Sequence, residues 1–204
     1  MDNKAALFKS LVEEIKRHKC SLRDGCTQAV PGEGSVESSI VFIGEAPGRT
    51  EDELGRPFVG AAGKLLAEGL GEIGLTREDV YITNVVKCRP PDNRDPLASE
   101  VNEHKYLLEQ ELSFIKPKLI VLLGRHSLQW FFPNEKISDL RGTAKRQGDK
   151  MFFVMYHPAA ALYDPRLKET LFGDFKRIPV FLKKIAEMEA SLTESETATQ
   201  EVLL

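Results

Sequence analysis

Cysteine is scarce in this chain: three residues in 204, at Cys20, Cys26 and Cys88. Three thiols are too few and too odd in number for a secreted disulfide framework, so metal or cluster ligation is the better question for them. Long apolar runs are missing as well; none approaches the roughly 20 residues that cross a bilayer, and Met1-Asp-Asn-Lys lacks a secretory leader's apolar core. A soluble cytoplasmic protein with no membrane partner is expected. Basic residues are absent from 187–204, a stretch holding five glutamates, and the remainder carries 28 basic against 26 acidic residues. A polyanionic partner is therefore permitted by charge and not required by it. The length and a hydrophobic content of 42% suit one core, so a single domain over 1–186 is expected, followed by an acidic tail over 187–204 too polar to order itself. No internal repeat is visible.

What the chain does have is a dense stretch from Gly44 to Gly63, GEAPGRTEDELGRPFVGAAG, with five glycines and two prolines among charged residues and Phe58. The apolar run Ile40–Ile43 precedes it and a helical run, Lys64–Leu75, follows. The order strand, glycine-rich turn, helix is where open α/β sheets place their ligand sites.

The rest of the chain repeats that alternation. Apolar residues at helical spacing over 4–18 predict an amphipathic helix, and 20–39 is polar and broken by Pro31 and the glycines at 32 and 34. Strands are expected at Val80–Thr83, Lys118–Leu123 and Met151–Tyr156, with helices over 97–115, 125–132 and 166–186, the last interrupted at Pro179. The span 136–150 is basic and loop-rich with room for short strands; by default it is a solvated face, with DNA phosphates as a modest alternative. This pattern predicts a three-layer α/β/α sandwich around a central, mainly parallel four-stranded sheet.

In a parallel sheet the strand C-termini share an edge, so Glu45, Asn84 and His157 should converge there. Phe58 offers a flat face for a planar ring. An asparagine amide both donates and accepts, which matches a pyrimidine edge offering N–H beside a carbonyl, as in uracil. If a base–sugar bond breaks, His157 could stabilise charge on the base carbonyl, and Glu45 could hold the attacking water and offset the sugar cation. Gly44, Ala46 and Gly48 leave room for a nucleotide to approach the backbone.

Four blocks in order, GEAPGRTEDELGRPFVGAAG, DVYITNVVKCRPPDNRDP, KPKLIVLLGRHS and YHPAAALYDP, resemble the family-four uracil-DNA glycosylases over most of residues 20–180. The resemblance implies release of uracil from DNA by hydrolysis of the N-glycosidic bond, leaving an abasic site for base excision repair, by a monomer without a catalytic cofactor. It implies Glu45 and His157 as catalytic residues and Phe58, Asn84, Glu51, Gly44 and Ala46 around the uracil, Glu51 crowding the C5 edge so that thymine is rejected. It places DNA contacts at Gly60, Gly63, Pro158, Leu162 and Tyr163, the last two on a segment entering the minor groove as the nucleotide flips out.

Members of that family usually hold a structural [4Fe-4S] cluster on four cysteines. Here Cys20 and Cys88 match two of them, and positions 17 and 104 carry arginine and histidine. A Cys20, Cys26, Cys88, His104 set could hold the cluster, the same donors could hold zinc, or the corner could be packed without metal. His104 lies on an apolar stripe and reads equally as a core histidine; His18 and His126 read as surface or structural. Rival functions are a uracil-DNA binding or damage-sensing module with little turnover, a variant trapping the abasic sugar on a histidine, and another hydrolase of this architecture acting on a nucleoside or base.

Overall fold

The computed structural model describes residues 2–201, with the side chains of residue 4 and residues 6–191. One sheet of six strands forms its centre: β1 (Glu33–Gly34), β2 (Ile40–Gly44), β3 (Tyr81–Asn84), β4 (Leu119–Leu123), β5 (Ala144–Gln147) and β6 (Lys150–Met155), in the spatial order β1-β3-β2-β4-β6-β5. The four inner strands run parallel, and β1 and β5 add antiparallel at the two edges. The four expected strands are the inner ones; the sheet has six because the edge strands, Glu-Gly and Ala-Lys-Arg-Gln, carry no apolar run that would announce them.

The inner strands are buried throughout β2, β3 and β4 and over most of β6, as continuous runs such as LIVLL require. Alternate residues point to opposite faces. Val41, Ile43, Ile120, Leu122, Phe152 and Val154 pack against α1 (Asp2–Arg17), α4 (Ala98–Ile115) and α5 (Arg125–Phe131). Ile40, Phe42, Leu119, Val121, Phe153 and Met155 pack against α3 (Ala61–Gly71), α7 (Pro158–Tyr163) and α8 (Arg166–Glu201). Two apolar layers thus clamp the sheet, giving the three-layer sandwich.

Three short helices were not expected as such. In the glycine-rich stretch, α2 (Arg49–Leu54) is closed by Gly55, whose φ of 68° is left-handed and whose N–H reaches Glu51 O. The others are α6 (Ile137–Leu140) in the basic span and α7 after His157. The closing helix also exceeds its expected end at 186, passing Pro179 and continuing to Glu201. The proline removes only the N–H that would bond the carbonyl of residue 175, and 187–201 contains no glycine or second proline to stop the helix. Residues 202–204 of the expected tail lie outside the described residues.

A polar network crosses the core between β3 and α4. The carboxylate of fully buried Glu111 accepts from Tyr81 OH at 2.8 Å, Gly32 N at 3.0 Å, Thr83 Oγ1 at 2.9 Å and Lys87 Nζ at 2.5 Å. Lys87, itself 0% exposed, also donates to Thr83 Oγ1 at 2.7 Å and to the Asn84 carbonyl at 2.8 Å. Burial pulls the Lys87 ammonium below its ordinary value, and Glu111 acts against that pull. The ammonium therefore ties the end of β3 to α4.

Candidate active site

Four parallel strands deliver residues to one edge: Glu45 after β2, Asn84 at the end of β3, Gly124-Arg125-His126 after β4, and His157 after β6. They line a cleft of about 680 Å³ together with Phe58 and Tyr156. A larger groove of about 1300 Å³ runs along α4 and α8 toward Lys118, sharing Glu45 and His126 with the cleft. Asn84, His157 and the aromatic face of Phe58 belong to the smaller one alone.

Asn84 is 2% exposed, and its Oδ1 is buried without a hydrogen-bond partner. A buried amide left unsatisfied carries a desolvation cost, which a ligand edge in the cleft would remove. Beside it Phe58 holds a left-handed φ of 52°, a conformation unfavourable for a bulky residue. Arg77 stabilises it by donating to the carbonyls of Pro57 and Phe58, both at 2.7 Å. Two glycines make this packing possible. A Cβ on Gly63 would lie 1.8 Å from Phe58 O, and one on Gly44 would lie 2.4 Å from Asn84 Oδ1 and 2.5 Å from Phe58 Cζ.

His157 caps α7: its Nδ1 accepts from Ala159 N–H at 3.1 Å. That bond assigns the ring proton to Nε2 in the neutral tautomer. Burial lowers the pKa to about 4, so the ring is neutral at physiological pH. Its plane lies 30° from that of Phe58, with centroids 5.5 Å apart. Neutral imidazole with an Nε2–H is a donor that needs no protonation step.

Glu45 is held by ladder-like bonds continuing beyond the strands, from Val85 N to Gly44 O at 3.0 Å and Val86 N to Glu45 O at 2.9 Å. Burial, with the Asp95 carboxylate nearby, raises its pKa to about 7, and Arg125 offsets part of that rise. His126 Nε2 stands 3.6 Å from Glu45 Oε2 and 3.3 Å from Asp95 Oδ1, and Arg125 Nη2 pairs with Asp95 Oδ2 at 2.7 Å. Sequence reasoning left His126 aside and did not single out Asp95 or Arg125. The available signal was position: Gly124-Arg-His follows a parallel strand, as the other site residues do.

The remaining expected residues divide by location. Ala46 and Gly48 line the cleft, as does Glu51. Glu51 Oε1 also accepts from Val59 N at 2.9 Å and Gly60 N at 2.7 Å, so it anchors the loop carrying Phe58 into α3. Gly63 and Pro158 are buried beneath the rim. Leu162 and Tyr163, 46% and 90% exposed, project at the end of α7.

A second cluster lies where α1, β3 and α4 meet. Cys88 is fully buried, and Cys20 and Cys26 pack against the apolar cluster that contains it. His104 adjoins them: its ring lies 4.9 Å from that of His18, and the donor atoms of His18, Cys20 and His104 are within 4.8 Å of one another. The structure thus brings Cys20, Cys26, Cys88 and His104 to one corner and adds His18, whose signal was its spacing, His-Lys-Cys, beside an expected ligand.

Fold and cleft together define an α/β protein with a cleft at the carboxyl edge of its sheet, lined by the aromatic face of Phe58 and the buried amide of Asn84. The family model of the uracil DNA glycosylase superfamily matches residues 31–177, and the chain belongs to that superfamily. It is 50% identical to a type-4 uracil-DNA glycosylase of Archaeoglobus fulgidus, over 82% of this chain and 89% of that protein. It is 48% identical to the type-4 enzyme of Sulfurisphaera tokodaii (85% and 83% covered), and 40% identical to that of Thermotoga maritima (90% and 99%).

Proposed function

We propose that this protein is a uracil-DNA glycosylase that hydrolyses the bond between uracil N1 and deoxyribose C1′. The observation that carries the reading is the unpartnered Asn84 amide inside a cleft walled by Phe58 and neutral His157, with Glu45 across from them. The similarity to type-4 enzymes over most of both chains supports it.

Asn84 reads the uracil edge, and Phe58 stacks on the ring. As the C1′–N1 bond breaks, its electron pair passes to uracil, and His157 Nε2–H donates to the carbonyl oxygen where negative charge gathers. Ionised Glu45 offsets the oxocarbenium-like sugar and takes a proton from the water that adds to C1′. Arg125, donating to both His126 Nε2 and Asp95, fixes the charged groups beside that carboxylate. Glu51 fixes the Phe58 loop and crowds the C5 edge against a methyl group, while Gly44 and Ala46 give the base its clearance. DNA is held at Gly60, Leu162 and Tyr163, with Gly63 and Pro158 shaping the loops beneath; the exposed Leu162 and Tyr163 side chains fill the gap left by the flipped nucleotide. The glycosylase domain spans 1–186, and 187–204 is an acidic extension.

The cysteine corner is structural in this reading and enters no chemical step. Its donors do not fit a four-thiolate [4Fe-4S] cluster, because the chain has three cysteines, and the two imidazole nitrogens and Cys20 Sγ lie closer together than ligands on separate irons of a cube.

The test is incubation with a single-uracil oligonucleotide followed by alkali. Strand cleavage at the uracil position, with loss of most activity in Asn84→Ala, is the expected result. An alkali-stable product from correctly folded protein overturns the proposal, and tight retention of DNA without release would mark a binding module instead.

A further inference from the structure

We propose that His18, Cys20, Cys88 and His104 form a four-ligand site for one divalent transition-metal ion of the zinc class. This goes beyond the glycosylase reading and does not depend on it.

Both histidines are arranged as ligands. His104 Nδ1 is engaged by the Glu100 carbonyl at 2.7 Å, and its Nε2 is buried with no partner. His18 Nδ1 contacts Tyr106 OH at 3.2 Å, and its Nε2 is likewise buried and unpartnered. His104 Nδ1–H donates to a carbonyl, so its Nε2 carries a lone pair; His18 Nε2 carries one as well in the tautomer whose Nδ1–H donates to Tyr106 OH, the pattern in which a second interaction orients a metal-binding imidazole. Two buried, unpartnered imidazole nitrogens in one corner beside a thiol are hard to rationalise as core packing, because each would carry an uncompensated desolvation cost.

The spacing favours one ion. Tetrahedral zinc with Zn–S of about 2.3 Å and Zn–N of about 2.0–2.1 Å holds its donors about 3.3–3.8 Å apart. The donors of His18, Cys20 and His104 already lie within 4.8 Å of one another, so side-chain shifts of about an ångström close the shell. Cys88, buried in the cluster that Cys20 packs against, would complete the shell by turning its side chain toward the other three. Two imidazoles with two thiolates suit zinc, and binding releases the two thiol protons. Cys26 is excluded from the set because Arg23 already engages it, Nη1 donating to Sγ at 3.5 Å and the thiol donating to Arg23 O at 3.6 Å. The Ser21 amide and hydroxyl, bound to Glu103 at 2.7 and 2.9 Å, pin the ligand loop to α4.

The experiment is elemental and acid-labile sulfide analysis of the full chain purified without oxygen from medium containing both iron and zinc, followed by cobalt(II) titration of chelator-treated protein. About one zinc per chain, no sulfide, and a tetrahedral cobalt spectrum with thiolate charge transfer are expected. His18→Gln should weaken cobalt binding at least ~10-fold, the scale seen even for outer-shell losses, and Cys26→Ser should leave it unchanged. Iron with stoichiometric sulfide, absence of metal, or equal cobalt binding in His18→Gln and the unaltered chain would overturn the assignment. Should His18→Gln fail to fold, the metal and sulfide content of the unaltered chain and the Cys26→Ser spectrum still decide it.

Discussion

The Ala159 amide donates to His157 Nδ1 at 3.1 Å, and this single bond places the proton of the neutral imidazole on Nε2. His157→Ala is expected to lower the single-turnover rate of uracil release by about 10²–10³-fold, the usual loss for one preorganised donor to a developing anion. Uracil-DNA affinity should change far less, which a binding titration alongside the kinetics will read.

The pH profile should report Glu45. The competent form is the carboxylate, and its pKa is raised to about 7, so kcat/KM should rise with pH through about 7 and level above it. His157, neutral above about pH 4, should add no inflection in the neutral range. Asp95→Asn removes a like charge beside Glu45, and the rising limb should move to lower pH.

Gly44→Ala would set a methyl group 2.4 Å from Asn84 Oδ1 and 2.5 Å from the Phe58 ring, so one of the two must leave its position. A loss of about 10²-fold or more in kcat/KM is expected, since misplacement by about an ångström has that effect. Circular dichroism should show the fold retained.

Lys87→Met breaks a buried ion pair by removing one partner, leaving Glu111 uncompensated at 0% exposure. Urea unfolding should show destabilisation of about 3–5 kcal/mol. Activity should fall as well, because the Asn84 carbonyl loses its anchor.

Tyr163→Ala removes a side chain that is 90% exposed beside the cleft. If it supports an extruded nucleotide, the rate on duplex substrate should drop severalfold more than the rate on single strands, where no stacked partner must be left behind. Equal losses on both would remove that role.

The four inner strands, their helices and the convergence of Glu45, Asn84 and His157 could be read from the chain because continuous apolar runs and strand-end motifs are local signals. The edge strands could not: Glu33–Gly34 and Ala144–Gln147 exist through pairing with β3 and β6, and nothing in their own composition requires a strand. His18 and His126 escaped for a related reason. A histidine declares its role through what tertiary packing sets beside it, here Cys20 with His104 in one case and Glu45 with Asp95 in the other. Phe58 shows the opposite limit: its type suggested stacking, but its left-handed backbone and dependence on Arg77 emerge only when the loop is folded.

The way the sheet terminates affects how the protein behaves in a crowd. On one side it ends in a two-residue strand, and on the other in a strand carrying Lys145 and Arg146. Short or charged borders are poor templates for another molecule's backbone. A pair of deliberately inhospitable margins would therefore protect concentrated protein from lateral self-association, leaving the carboxyl edge as the side of the sheet open to a visitor.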